Sequence, residues 1–208
     1  MMHKHTTDIF FPALVFVAVG VWSLIQPHDM LTWFLEATPV LVIFFVVAAV
    51  CRRFQFTPLA YWLLALGGIL VLIGAHYTYA RMPVFEWLKE PFAFQRNHYD
   101  RFGHFFQGFV PAIVFRELLL RTSPLKRGTW LFIIVIALCM AKSVFYEFAE
   151  WWTALIMGGN ANDFLAMQGD EWDAQTDIFW ATLGGIMALL TLSRWHDSQL
   201  NRLKTKLI

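Results

Sequence analysis

The stretch FTPLAYWLLALGGILVLIGA, Phe56 to Ala75, contains no charged residue. A helix rises about 1.5 Å per residue, so about 20 apolar residues cross the roughly 30 Å hydrocarbon core of a bilayer. A run of this length and composition reads as a membrane span. Two further runs precede it. Ile9 to Ile25 is uncharged, and Met30 to Cys51 carries only Glu36. Three later runs are apolar but interrupted. Tyr99 to Leu120 contains Asp100, Arg101, His104, Arg116 and Glu117; Trp130 to Met157 contains Lys142, Glu147 and Glu150; Asp177 to Leu192 begins on an acid and then stays apolar. The pattern predicts an all-α polytopic transmembrane helix bundle, a single integral membrane domain over residues 1–208. Six spans are expected, at about 9–26, 31–51, 57–77, 101–120, 130–152 and 177–194.

Composition narrows the class further. Of 208 residues 58% are hydrophobic and 15% charged, whereas an ordinary soluble domain is about 25% charged. Disordered, collagen-like and disulfide-scaffold chains are excluded, the last because the only cysteines are Cys51 and Cys139. Cys51 is expected to stay reduced at a cytoplasmic helix end, and Cys139 to be buried. A formal net charge of +1 lacks the basic surplus of a nucleic-acid binder, so the expected partner is the lipid bilayer and not nucleic acid. The sequence carries no sign of a particular oligomeric state.

Orientation follows from the basic residues. With the N-terminus in the cytoplasm, 11 of the 16 Lys and Arg residues fall on cytoplasmic segments, and Arg81, Lys89, Arg96 and Arg101 fall outside. The segment from Gly158 to Thr176 has no base and four acids. Both termini are therefore expected in the cytoplasm. Ala18-Val19-Gly20 loosely matches a cleavage site, but the apolar run continues past it, so an uncleaved anchor is expected. Trp33, Trp87, Trp151, Trp152, Trp172 and Trp180 fall near expected outer ends, and Trp130 and Trp195 at inner ends, where an indole finds both lipid and water.

The polar residues are unevenly spread. Spans one to three are nearly pure hydrocarbon, whereas spans four to six carry ionisable groups, most of them in the outer half. Such charges are costly in lipid and should face the bundle interior. Asp100 and His104 are four apart and share a helix face, continued by Gln107 and Pro111. A carboxylate one turn before a histidine can orient the imidazole or ligate a metal beside it; a helix-start acid beside a buried histidine has the same spacing. Glu147 and Glu150 share another face, and Lys142, Tyr146 and Glu150 an overlapping one. Lys142 stands about 18 Å deep counted from Trp130, so a carboxylate partner is expected from Glu147, Glu150, Glu36 or Asp177, in a structural ion pair or a working site.

Asp170, Asp173 and Asp177 fall on one stripe if the sixth span begins there. Helix capping accounts for one of them; three repel unless a cation or proton neutralises them. Below them Ala181, Gly184 and Gly185 would let a neighbouring helix approach closely. His76-Tyr77-Thr78-Tyr79 closes the third span at the same depth, an ordinary place for interfacial residues. The topology thus gathers candidate metal ligands Asp100, His104, His76, Asp170, Asp173 and Asp177 with candidate catalytic residues Glu147, Glu150 and Lys142. Carboxylates with imidazole suit a divalent ion such as Zn or Mn. Gly158-Gly159-Asn160 is a turn signal in a loop, Met157 to Met167, expected to cover the site.

The motifs His76 to Tyr79, Asn97 to Gln107, Tyr146 to Trp151 and Gln168 to Asp177, in that order, closely resemble the YjdF family of bacterial inner-membrane proteins. That resemblance implies a multi-pass protein of the bacterial cell inner membrane and supplies no activity. Asp100-Arg101-Phe102-Gly103-His104, Glu147 to Glu150 and Asp177 to Gly185 are also similar, over about half the chain, to VanZ-like membrane proteins of glycopeptide resistance, with departures at Asp170, Asp173, Glu150 and Ala181. Three functions are open. One is a divalent-metal or hydrolase-like site acting on a lipid or envelope precursor. The second is transport of a proton, ion or small solute. The third is a structural or interaction protein whose polar cluster fixes packing.

Overall fold

In a computed structural model, residues 2–158 and 162–206 are described. Gly159 and Asn160 of the expected turn lie outside them. The elements in order are α1 (Met2–Ser23), α2 (Met30–Val50), α3 (Pro58–Tyr77), a 3-10 turn (Tyr79–Arg81), α4 (Pro83–Phe92), α5 (Tyr99–Thr122), α6 (Thr129–Met157), α7 (Asn162–Leu165) and α8 (Asp173–Lys206). No strand occurs among the described residues. Among these residues four helices, α2, α3, α6 and α8, are each long and apolar enough to cross a membrane. The apolar part of α1, Ile9–Ser23, is shorter, and α5 carries charges near both ends. The fold is a polytopic helical membrane bundle.

Local chemistry sets where the helices begin. The Asp29 carboxylate accepts the Thr32 N–H at 2.6 Å to start α2, and Thr57 caps α3 ahead of Pro58 at its first position. Two features depart from the sequence reading. The connection from α3 to α5 contains α4, an amphipathic helix with none of its residues buried and with Trp87 and Phe92 exposed. The last helix begins at Asp173, so Asp170 lies in the turn before it and not on its face. That helix also runs to Lys206, because His196 and Leu200 are buried beyond its apolar stretch.

α5 is the centre of the bundle. It packs against α8, α6 and α3, while α1 and α2 both pack on α3. At the α5–α8 contact a Cβ on Gly108 would collide with the Ala181 backbone, and one on Gly184 with the Phe105 backbone. Only glycine lets the two helices meet this closely, as the small residues near Ala181 suggested. The middle of the bundle is apolar: Ala112, Ile113, Val135, Cys139 and Ala188 are wholly buried together. The outward faces are apolar, with Phe45 and Phe145 about two-thirds exposed at 66% and 69%, which suits lipid. Exposed Trp130 and Trp151 sit on α6 about 31 Å apart at the helical rise, close to the thickness of the hydrocarbon core. Trp33 is a correction: it is buried, its indole N–H donating to Ser23 Oγ at 3.1 Å, so it joins α2 to α1.

Candidate metal centre

The centre forms where α5 begins. Asn97 Oδ1 accepts the Tyr99 N–H at 3.1 Å, and Asp100 and His104 follow one turn apart on the buried face of α5. The glycine contact brings α8 close enough for the short side chain of Asp177 to reach the same point. His104 Nε2 lies 3.6 Å from Asp100 Oδ1 and 3.8 Å from Asp177 Oδ2. On the other side of the ring, His104 Nδ1 lies 3.8 Å from Glu147 Oε1 of α6. One donor atom from each of Asp100, His104 and Asp177 fits within 4.8 Å, and all three residues are buried.

None of these separations is a hydrogen bond. His104 Nδ1, Glu147 Oε1 and Asp177 Oδ1 are buried with no hydrogen-bond partner. An orphaned buried polar atom costs about 1–3 kcal/mol, and His104, Glu147 and Asp177 each carry one here. The donor set, two carboxylates and a histidine, fits a hard or borderline divalent ion. Ligands about 2.1 Å from a tetrahedral ion stand about 3.4 Å apart, a few tenths of an ångström less than the 3.6 and 3.8 Å from His104 Nε2 to its two carboxylates.

Arg96 is the cation that answers the acidic stripe. Its guanidinium reaches Asp173 at 2.6 Å, Asp170 at 3.2 Å and Asp100 at 3.3 Å, and Arg101 adds a 2.5 Å contact to Asp170. Burial pushes the Arg96 guanidinium down, but Asp173 and Asp100 more than offset it and hold it above its ordinary value. The Asp170 carboxyl is held below the usual range by the Trp172 N–H and by Arg101 and Arg96. Asp170 and Asp173 are thus engaged by arginine, a role the sequence reading did not give to Arg96. Its signal was available: a base four residues before Asp100, facing an acidic segment.

The remaining candidates are placed as follows. His76 stands apart, with Nδ1 3.1 Å from the Ser23 carbonyl and its ring on Trp22. Helix α3 ends at the right depth but on the α1 side. Lys142 is also a correction. Its ammonium donates to Gln107 Oε1 at 2.9 Å and to the Gln107 carbonyl at 3.4 Å, and no carboxylate pairs with it among the described residues. Glu36, one of its expected partners, is buried and accepts the Tyr146 hydroxyl at 2.9 Å; the Tyr146 ring stands edge-on to His104 at 5.9 Å. Glu150 is half-buried and makes no hydrogen bond among the described residues.

A second network, not anticipated, lies at the opposite end of α5. Glu117 accepts Thr57 Oγ1 at 2.7 Å, Arg121 at 2.7 Å and His196 at 3.0 Å. Arg116 donates to His196 Nδ1 at 2.9 Å and to Asp197 at 2.7 Å. A guanidinium cannot accept, so His196 Nδ1 carries the lone pair and Nε2–H faces Glu117. Both nitrogens of that imidazole have partners. The network fastens the start of α3 and the end of α8 to α5.

Fold and site together define a polytopic helical membrane protein with a buried Asp/His cluster. The chain belongs to the family described as predicted membrane protein (DUF2238), which matches residues 9–198. It is similar to the inner membrane protein YjdF of Escherichia coli (strain K12), at 43% identity over 190 residues that cover 91% of each chain. The family resemblance drawn from the four motifs therefore holds. No solved structure matches the chain.

Proposed function

We propose that this is a multi-pass protein of the bacterial inner membrane that holds a divalent cation, Zn or Mn, at Asp100, His104 and Asp177, and acts on a lipid or envelope precursor. The observation that carries this reading is the grouping of buried Asp100, His104 and Asp177, each offering a donor atom within 4.8 Å of the others, in a site where polar atoms of His104 and Asp177 have no hydrogen-bond partner. A cation held by these residues would supply an activated water at neutral pH. Glu147, beside His104, would serve as the base, with Glu150 one turn on along α6 and Lys142 meeting negative charge on the substrate. Asp170, Asp173 and Arg96 hold the first turn of α8 over the centre. Six spans with both termini in the cytoplasm put the centre at the periplasmic face, a reading supported by the bias of basic residues.

A proton or ion relay is favoured less. It needs polar groups across the bilayer, and between the Asp/His centre and the Glu117–His196 network the buried side chains Ile113, Val135 and Ala188 are apolar. The test is metal content. Protein purified in detergent, loaded with Zn or Mn and passed over a desalting column should retain one ion per chain by elemental analysis. His104→Ala should retain none. A parent protein that retains no ion overturns the reading.

A further inference from the structure

A cavity of about 440 Å³ lies beside the centre, walled by α1, α2, α3 and α5. On α5 it extends from Gly103, next to His104, to Phe115, about 18 Å at the helical rise. Its walls are apolar, with Ala13, Phe16, Val47, Ala48 and Leu64 among them. Gln107, Tyr79 and Lys142 line it toward His104, Tyr61 and Cys51 line it toward the other end, and Lys142 is the only charged residue of the lining among the described residues. The Lys142 ammonium has three protons. Gln107 supplies both of its acceptors, each a neutral oxygen, so its charge is not neutralised among the described residues.

We infer that this cavity takes one hydrocarbon chain of a membrane phospholipid, with the phosphate held at Lys142. Three observations select that occupant. From Gln107, which holds the Lys142 ammonium, to Phe115 the bore runs about 12 Å at the helical rise, within the roughly 15 Å apolar depth of one leaflet. Lys142, the one charge among the described lining residues, gives an apolar bore a single point for an anion, which matches a phosphate joined to a hydrocarbon chain. The flanking helices α1 and α2 turn exposed Phe11, Val42 and Phe45 outward, so the cavity is bordered by helices that face lipid. Gln107 lies one turn along α5 from His104, and Lys142 one turn along α6 from Tyr146. A phosphate ester at Lys142 is thus about one turn, roughly 5.4 Å, from the Asp/His centre. The inference names the ligand class of that centre and rests on reading it as a working site.

The test uses pyrene-labelled phosphatidic acid and pyrene-labelled diacylglycerol with the full-length protein in dodecyl-maltoside micelles. The parent should bind phosphatidic acid about tenfold more tightly than diacylglycerol, the size of one charge-assisted contact. Lys142→Met should abolish that preference, and Lys142→Arg should keep it. Ala48→Trp, which fills the bore, should weaken both lipids about tenfold; Ala13→Phe serves the same purpose if Ala48→Trp does not fold. Manganese binding is measured on the same preparations and should be unchanged in Ala48→Trp and Ala13→Phe. Equal binding of the two lipids by the parent, or unchanged binding in the filled variant, overturns the inference. Manganese binding without phosphatidic acid selectivity overturns the lipid site and leaves the metal centre standing. Selectivity without manganese binding upholds the lipid site and overturns the metal centre.

Discussion

Asp177→Asn should stabilise the metal-free protein and abolish its stabilisation by metal. The substitution keeps the volume of a side chain that is 1% exposed and removes its charge. Asp100 and Asp177 place oxygens within 4.8 Å of each other around His104. Two carboxylates at that separation repel by about 3 kcal/mol at an effective dielectric of about 20, before a shared proton relieves part of it. Asparagine removes that repulsion, so in chelator the variant should unfold at a higher temperature than the parent. Metal reverses the order. At a concentration a hundredfold above Kd, a divalent ion stabilises the parent by about 2.7 kcal/mol. With one anionic ligand gone, the variant binds about a hundredfold more weakly and at the same concentration gains only about 0.4 kcal/mol. Thermal unfolding in detergent, followed by tryptophan fluorescence with EDTA and with manganese, reads both. If Asp177→Asn melts lower than the parent in chelator and gains as much from manganese, the placement of a cation between these carboxylates is wrong.

Other outcomes follow from the same geometry. Arg96→Met strips the counter-charge from Asp100, Asp170 and Asp173 and should cost about 3–5 kcal/mol in unfolding, with Arg96→Lys recovering part. Gly184→Ala should cost about 1–3 kcal/mol and weaken manganese binding, because the methyl forces α8 off the Phe105 backbone; Gly185→Ala, which meets only side chains of Cys139 and Ile136 at 3.3 Å, should cost less. His196→Phe should lose about 1–3 kcal/mol through unpaired Glu117 and Arg116 and leave manganese binding intact. Because the Asp170 carboxyl is depressed in the folded chain, its contribution is present in full above the unfolded value of about 3.9 and is lost as pH falls through the folded value. The melting difference between parent and Asp170→Asn should therefore vanish in acid.

Several parts of this architecture are legible residue by residue. The uncharged run from Phe56 to Ala75 marks α3, because a bilayer of fixed thickness sets both length and composition. The Asp100–His104 spacing marks one shared face, because the helical period is local. Thr57-Pro58 marks a helix start for the same reason. Arg96 resisted this treatment: a base outside a span reads as topology, and its pairing with Asp173 joins residues far apart in the chain. The expectation for Lys142 failed in the same way. Four carboxylates were within plausible reach, yet its partner is an amide on α5, and Glu36 went to Tyr146. His76 has the right depth, but depth says nothing of which side of the bundle a residue faces.

The sequence alone determined that the chain lives in a membrane, roughly where its helices run, and that ionisable groups gather on the later spans. Each of these is a property of a single segment, set by hydrophobic length and helical period. Which of those groups share a centre was decided by tertiary structure, through two glycines that let α5 and α8 touch. A side chain only a few ångströms long can meet a partner from another helix only where the backbones themselves come together, and that proximity is a property of the packed bundle.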